Sequence, residues 1–93
     1  MNIYDSISAK EKLSTLKGWV FENNAIEKKY AFKNFQEAIS FMVRISFICE
    51  SKNHHPEWIN VYNKLTIRLS THDAGGVTDK DFILAGEIDK IPN

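Results

Sequence analysis

All three histidines of this 93-residue chain fall in two short stretches, Asn53-His54-His55-Pro56-Glu57-Trp58 and Ser70-Thr71-His72-Asp73. Imidazole has an unperturbed pKa of about 6.5, so near neutrality it both gives and takes protons. Pro56 disfavours helical geometry at His55, which predicts an extended loop with His54 and His55 directed to opposite sides. His72 follows an alternating segment and precedes a glycine turn. If the residues between the two stretches form a hairpin, both lie at the same end of a sheet. Three imidazoles can then share one pocket.

Three uses of such a set compete. Three imidazoles can hold a catalytic zinc, but no H-E-x-x-H helix accompanies them and Cys49 is the single cysteine. Each histidine could also be structural. General acid–base catalysis on an organic substrate fits the set best, because proton transfer needs groups that titrate near the working pH. Asp81 stands three residues after Thr78, so it closes a helix cap, or orients an imidazole or a cationic substrate group, or does both. Pro56 and Trp58 offer rigid and flat apolar surface beside the histidines, and Glu57 reads as a solvated rim residue. Gly75-Gly76 lacks the spacing of a phosphate loop and reads as a turn.

The elements that position these residues can be read in order. Ser8-Ala9-Lys10-Glu11 has capping-box spacing and predicts a helix from Ser8 to about Lys17, with Ala9, Leu13 and Leu16 inward and Gly18 at its end. Trp19 and Phe21 alternate with Val20 and Glu22. Asn23-Asn24 suits a tight turn, after which Ile26, Tyr30 and Phe32 face inward with Lys28 as a polar interruption. Asn34 caps a long helix to about Ser51. Its apolar residues cover an arc of roughly 260°, far beyond the ~100° stripe that one core requires. Either the other helices flank it, or part of it packs on another subunit; the second is preferred.

Trp58–Tyr62 reads as a strand, Asn63-Lys64 as a turn, and Leu65–Leu69 as a half-buried strand. Ala74-Gly75-Gly76 ends that pair. Thr78 opens a last helix with Leu84, Ala85, Ile88 and Ile91 inward, stopped by Pro92. The expected fold is one α+β domain spanning 1–93. It is a two-layer sandwich, helix–strand–strand–helix–strand–strand–helix, with a four-stranded antiparallel sheet and three helices on one face.

Composition excludes several classes. Twelve basic and twelve acidic side chains cancel at pI near 6.8, leaving no basic field for a direct nucleic-acid partner. The lone cysteine forbids an internal disulfide and points to a reducing compartment. No basic, apolar leader opens the chain, and no run approaches the ~20 apolar residues of a membrane span. A cytoplasmic protein with no membrane partner is expected.

His54-His55-Pro56-Glu57-Trp58, the following Val61-Tyr62-Asn63-Lys64, the alternating strand, Ser70-Thr71-His72, the glycine turn and Asp81 together resemble the pterin-4a-carbinolamine dehydratase family. The resemblance runs from Trp19 through the terminal helix. It implies a hydro-lyase that converts 4a-hydroxytetrahydropterin to quinonoid dihydropterin, without metal or organic cofactor, in tetrahydropterin recycling. His54 and His72 are then the acid candidates for the departing hydroxyl. His55 would bind the pterin substrate and take the N5 proton. Asn53, Pro56, Trp58, Ser70, Thr71, Asp73 and Asp81 would complete the binding site. Many family members carry aspartate where this chain has Asn53. The family also implies a homodimer or homotetramer built partly through the long helix. Because animal members double as dimerisation partners of a transcription factor, the alternative expectation is a non-catalytic pterin-binding or protein-dimerisation module.

Overall fold

Side-chain caps set the helix boundaries, and the first lies earlier than the sequence pattern predicts. In the computed structural model, which describes residues 2–93, α1 spans Ser6–Leu13 and Asp5 is its cap. Asp5 Oδ1 accepts from the Ser8 amide at 2.8 Å, and Ser8 Oγ accepts from the Asp5 amide at 3.0 Å. The expected box at Ser8–Glu11 is therefore displaced by one turn, because a carboxylate at Asp5 satisfies the same orphan amides and complements the helix dipole. Ala9 and Leu13 are buried as expected, and Leu16 packs on the core from beyond the helix end.

Four strands follow the predicted pairing. β1 is Val20–Glu22, β2 Ala25–Ala31, β3 Glu57–Val61 and β4 Lys64–Leu69, in the order β1-β2-β4-β3 with every neighbour antiparallel. The β1–β2 turn is Asn23-Asn24, both at positive φ (50° and 60°), which asparagine tolerates. Trp19 precedes β1 rather than opening it. The second turn is Tyr62-Asn63, one residue earlier than expected, with Tyr62 at φ 53°. Two asparagine amides hold it there. Asn60 Nδ2 donates to the Tyr62 and Lys64 carbonyls at 3.1 and 2.9 Å, and Asn63 Nδ2 to the Phe32 carbonyl at 2.8 Å.

The core face of the sheet carries Ile26, Tyr30, Leu65, Ile67 and Leu69 against residues of all three helices. Lys28, the polar interruption, reaches Asp89 at 3.0 Å, and the Trp19 indole donates to the same carboxylate at 3.0 Å. α2 spans Phe35–Lys52 and α3 spans Asp79–Asp89. The wide apolar arc of α2 is only partly used: Ala38, Phe41, Ile45 and Cys49 are buried, whereas Phe35, Ile39, Val43 and Phe47 stay 37–72% exposed. Those four recur every fourth residue, one continuous stripe along the helix. The structure thus assigns the stripe to no neighbour within the chain.

Burial pushes the Cys49 thiol up to about 11 from its ordinary 9.0. A group kept neutral in the fold but free to ionise when unfolded contributes its full stability below pH ~9 and loses it as pH rises towards 11. Chemical denaturation at pH 8 and pH 10.5 should therefore show an alkaline loss that Cys49→Ala reduces. An equal loss in the variant would remove Cys49 from the explanation.

Candidate active site

The end of α2 aims the two adjacent histidines. Asn53 takes the left-handed conformation (φ 51°), and the His54 amide reaches back to the Cys49 carbonyl at 3.1 Å, closing the last turn. The chain then turns sharply towards β3. Asn53 itself is exposed and acts here through its backbone; asparagine is tolerated at this positive φ better than most residues.

His54 is directed inward. Its Nε2 lies 2.5 Å from Asp81 Oδ1, with side-chain exposures of 11% and 0%. Asp81 Oδ2 accepts from the Thr78 amide and the Thr71 hydroxyl, both at 2.9 Å. The Thr71 and Thr78 hydroxyls meet at 2.7 Å. Both readings of Asp81 therefore hold at once, since one oxygen completes the cap of α3 and the other meets an imidazole. Three donors on one carboxylate define its proton order. A carboxylate only accepts, so with Asp81 ionised the donor in this contact is His54 Nε2.

His55 is directed outward, as the extended backbone predicts. Its Nε2 lies 2.8 Å from Glu50 Oε1, an exposed pair. His55 lines a cavity of about 320 Å³ on the open sheet face with Ser70 and His72. His72 begins a short 3-10 turn, His72–Ala74, and is exposed. The Thr71 amide donates to the Gly76 carbonyl at 2.8 Å, which holds this turn in place. Gly76 permits the close packing: a Cβ there would lie 2.7 Å from Ile3 Cγ2.

Two imidazoles, not three, thus line this cavity, and His54 is held apart from it on Asp81. The side-chain alternation that sends His55 outward sends His54 in. Pro56 and Trp58 do not line this cavity. Along with His55, Cys49 and Glu50 they bound a separate notch of about 230 Å³ between α2 and β3. Trp58 pairs with Ile67 and so faces the helices. Thr71 is buried in the Asp81 network, and Asp73 is exposed outside the cavity lining.

Residues not singled out from the sequence complete the cavity: Asn23 and Asn24 from the β1–β2 turn, with Arg68. Asn24 Nδ2 donates to the Gly75 carbonyl at 2.8 Å, joining two rims 51 residues apart. Arg68 sits two residues before Ser70, a period-2 signal that was available. Its contacts with Glu27 across the sheet were not. Among the described residues, no group of three His, Cys, Asp or Glu could hold a metal ion, and no helix is long and apolar enough to cross a membrane.

The fold is thus an α+β sandwich that carries two surface imidazoles on one cavity and a third held on a buried carboxylate. Comparison with known proteins assigns it to a family. The family pattern of Pterin 4 alpha carbinolamine dehydratase matches residues 4–91. A protein of Opitutus terrae, provisionally named a pterin-4-alpha-carbinolamine dehydratase, is 57% identical over 83 residues, covering 88% of this chain and 86% of its own. One from Christiangramia forsetii with the same provisional name is 46% identical over 91 residues, covering 98% and 94%. The crystal structure of a transcriptional coactivator/pterin dehydratase from Brucella melitensis superposes with a TM-score of 0.90 at 34% identity, covering 99% of this chain and all of that one. The chain belongs to the pterin-4a-carbinolamine dehydratase family.

Proposed function

We propose that this protein dehydrates 4a-hydroxytetrahydropterin to quinonoid dihydropterin, as a step in tetrahydropterin recycling. The observation that carries this reading is the convergence of His55, His72 and Ser70 on one cavity in a chain of this family. In the reaction, the C4a–oxygen bond breaks as the hydroxyl is protonated and leaves as water. The N5–H electrons become the new C4a–N5 double bond, and the N5 proton passes to a base. Nitrogen beside the leaving group already assists departure, so general acid–base help of about 10²–10⁴-fold is what the histidines must add.

His72 is the acid at the cavity, and His55 takes the N5 proton. His54 is the second acid, oriented by Asp81, whose carboxylate balances the imidazolium charge. Ser70 supplies a polar contact to the ring. The test is a dehydration assay on freshly generated 4a-hydroxytetrahydropterin, comparing native protein with the His54→Ala/His72→Ala double variant. Acceleration by native protein alone supports the reading. Equal rates from both folded proteins would sink it.

The exposed α2 stripe supports assembly as a homodimer or homotetramer. Sedimentation of the native protein at micromolar concentration should give one of these, and Phe47→Glu should shift it towards monomer, since Phe47 is 72% exposed and central to no intrachain packing. A native monomer would end this account. The same stripe, and the coactivator description of the Brucella protein, favour a second reading as a partner-binding module. A complex with a helical partner that survives histidine substitution would be its signature.

A further inference from the structure

The catalytic end of the cavity leaves a polar shelf unexplained. Arg68 Nη1 donates to Glu27 Oε2 at 2.6 Å, and Nε donates to Glu57 Oε1 at 3.2 Å. Nη2 reaches the Asn23 carbonyl at 3.2 Å. Glu27 is buried, whereas the Glu57 side chain is 72% exposed and lines the cavity beside Arg68. One guanidinium between two carboxylates gives the cluster a formal net charge of one negative, and of the two carboxylates only that of Glu57 is exposed.

Distance links this cluster to the reaction. Ser70 follows the end of β4 two residues after Arg68, and both line the cavity, about 7 Å apart along the chain. In a tetrahydropterin, C6 is bonded directly to N5, the atom that loses its proton. A C6 substituent therefore begins one bond from the reacting centre, and a short chain reaches the shelf. Resting on the dehydratase reading, we infer that Glu57 and Arg68 are specificity-determining residues for the C6 substituent: they accept a neutral hydroxylated chain and reject an anionic one. Arg68 and Asn23 or Asn24 donate to hydroxyl oxygens, and Glu57 accepts from hydroxyl hydrogens. An anionic tail meets the surplus carboxylate.

Kinetics with three C6 forms of 4a-hydroxytetrahydropterin test this: methyl, trihydroxypropyl and carboxyethyl. Native protein should show kcat/KM about fivefold lower for the carboxyethyl than for the methyl form, an effect that shrinks as salt rises. Glu57→Gln should abolish that penalty and Glu57→Lys should invert it, both through KM. Arg68→Lys keeps the charge but loses the planar fork, so it should cost the trihydroxypropyl form about tenfold in KM relative to methyl. A merely structural clamp would depress all three substrates together and give no opposite signs. Equal native rates on methyl and carboxyethyl forms, or no response to Glu57→Lys, would overturn the inference while leaving the dehydratase intact. No acceleration of any form by folded native protein would overturn the dehydratase reading and this inference with it.

Discussion

Asp81→Asn should lower dehydration kcat by about 10²–10³-fold while leaving a folded protein, because it removes the negative charge that balances the His54 imidazolium and resets the proton on that ring. Asp81 Oδ2 receives the Thr78 amide, a backbone donor that cannot turn away. The single oxygen of an asparagine must therefore face Thr78, which leaves its NH₂ group towards His54 Nε2. Two donors cannot meet at the 2.5 Å seen here. His54 has to move its proton to Nδ1 and accept from the amide. Nitrogen NMR of the imidazole reports that exchange directly, and a normal kcat with the exchanged tautomer would remove His54 from the mechanism. Thermal unfolding should show a loss of about 1–3 kcal/mol, the usual cost of weakening a buried charged hydrogen-bond network.

His72→Ala should lower kcat by about 10²-fold or more and change stability by no more than about 0.5 kcal/mol. The ring is exposed, and the turn beneath it is held by backbone bonds that alanine retains, Gly75 N–H to His72 C=O at 3.0 Å among them. The contrast with Asp81 is diagnostic, since one variant changes activity alone and the other changes activity and stability together. If His72→Ala unfolds the protein, the ring is structural. If it folds and retains full activity, the acid lies elsewhere, with His54 the next candidate. Measuring Tm beside kcat separates these outcomes.

Local rules made much of this molecule legible. Alternation located β2 and β4, because a sheet with one buried face repeats every two residues. The α2 helix announced its surplus apolar stripe through its period alone, and the structure leaves Phe35, Ile39, Val43 and Phe47 exposed. Thr78 and Asp81 read as a cap because a cap is a contact three residues long. The misplaced start of α1 has the same locality: two overlapping polar runs competed, and Asp5 forms the stronger cap.

What the chain determined by itself was the inventory and its near neighbours: three histidines in two segments, a proline that makes His54 and His55 diverge, and four strands in two hairpins. Tertiary structure decided which of those groups meet. The pairing of β2 with β4 brings Glu27 to Arg68, and α3 packing brings Asp81 to His54 across 27 residues. It also carries Asn24 to Gly75 and turns Trp58 towards the helices, away from the cavity. Such contacts depend on how elements dock rather than on any spacing along the chain. A cavity assembled from two turns, a loop and three strands is therefore visible only when the sheet closes over its core.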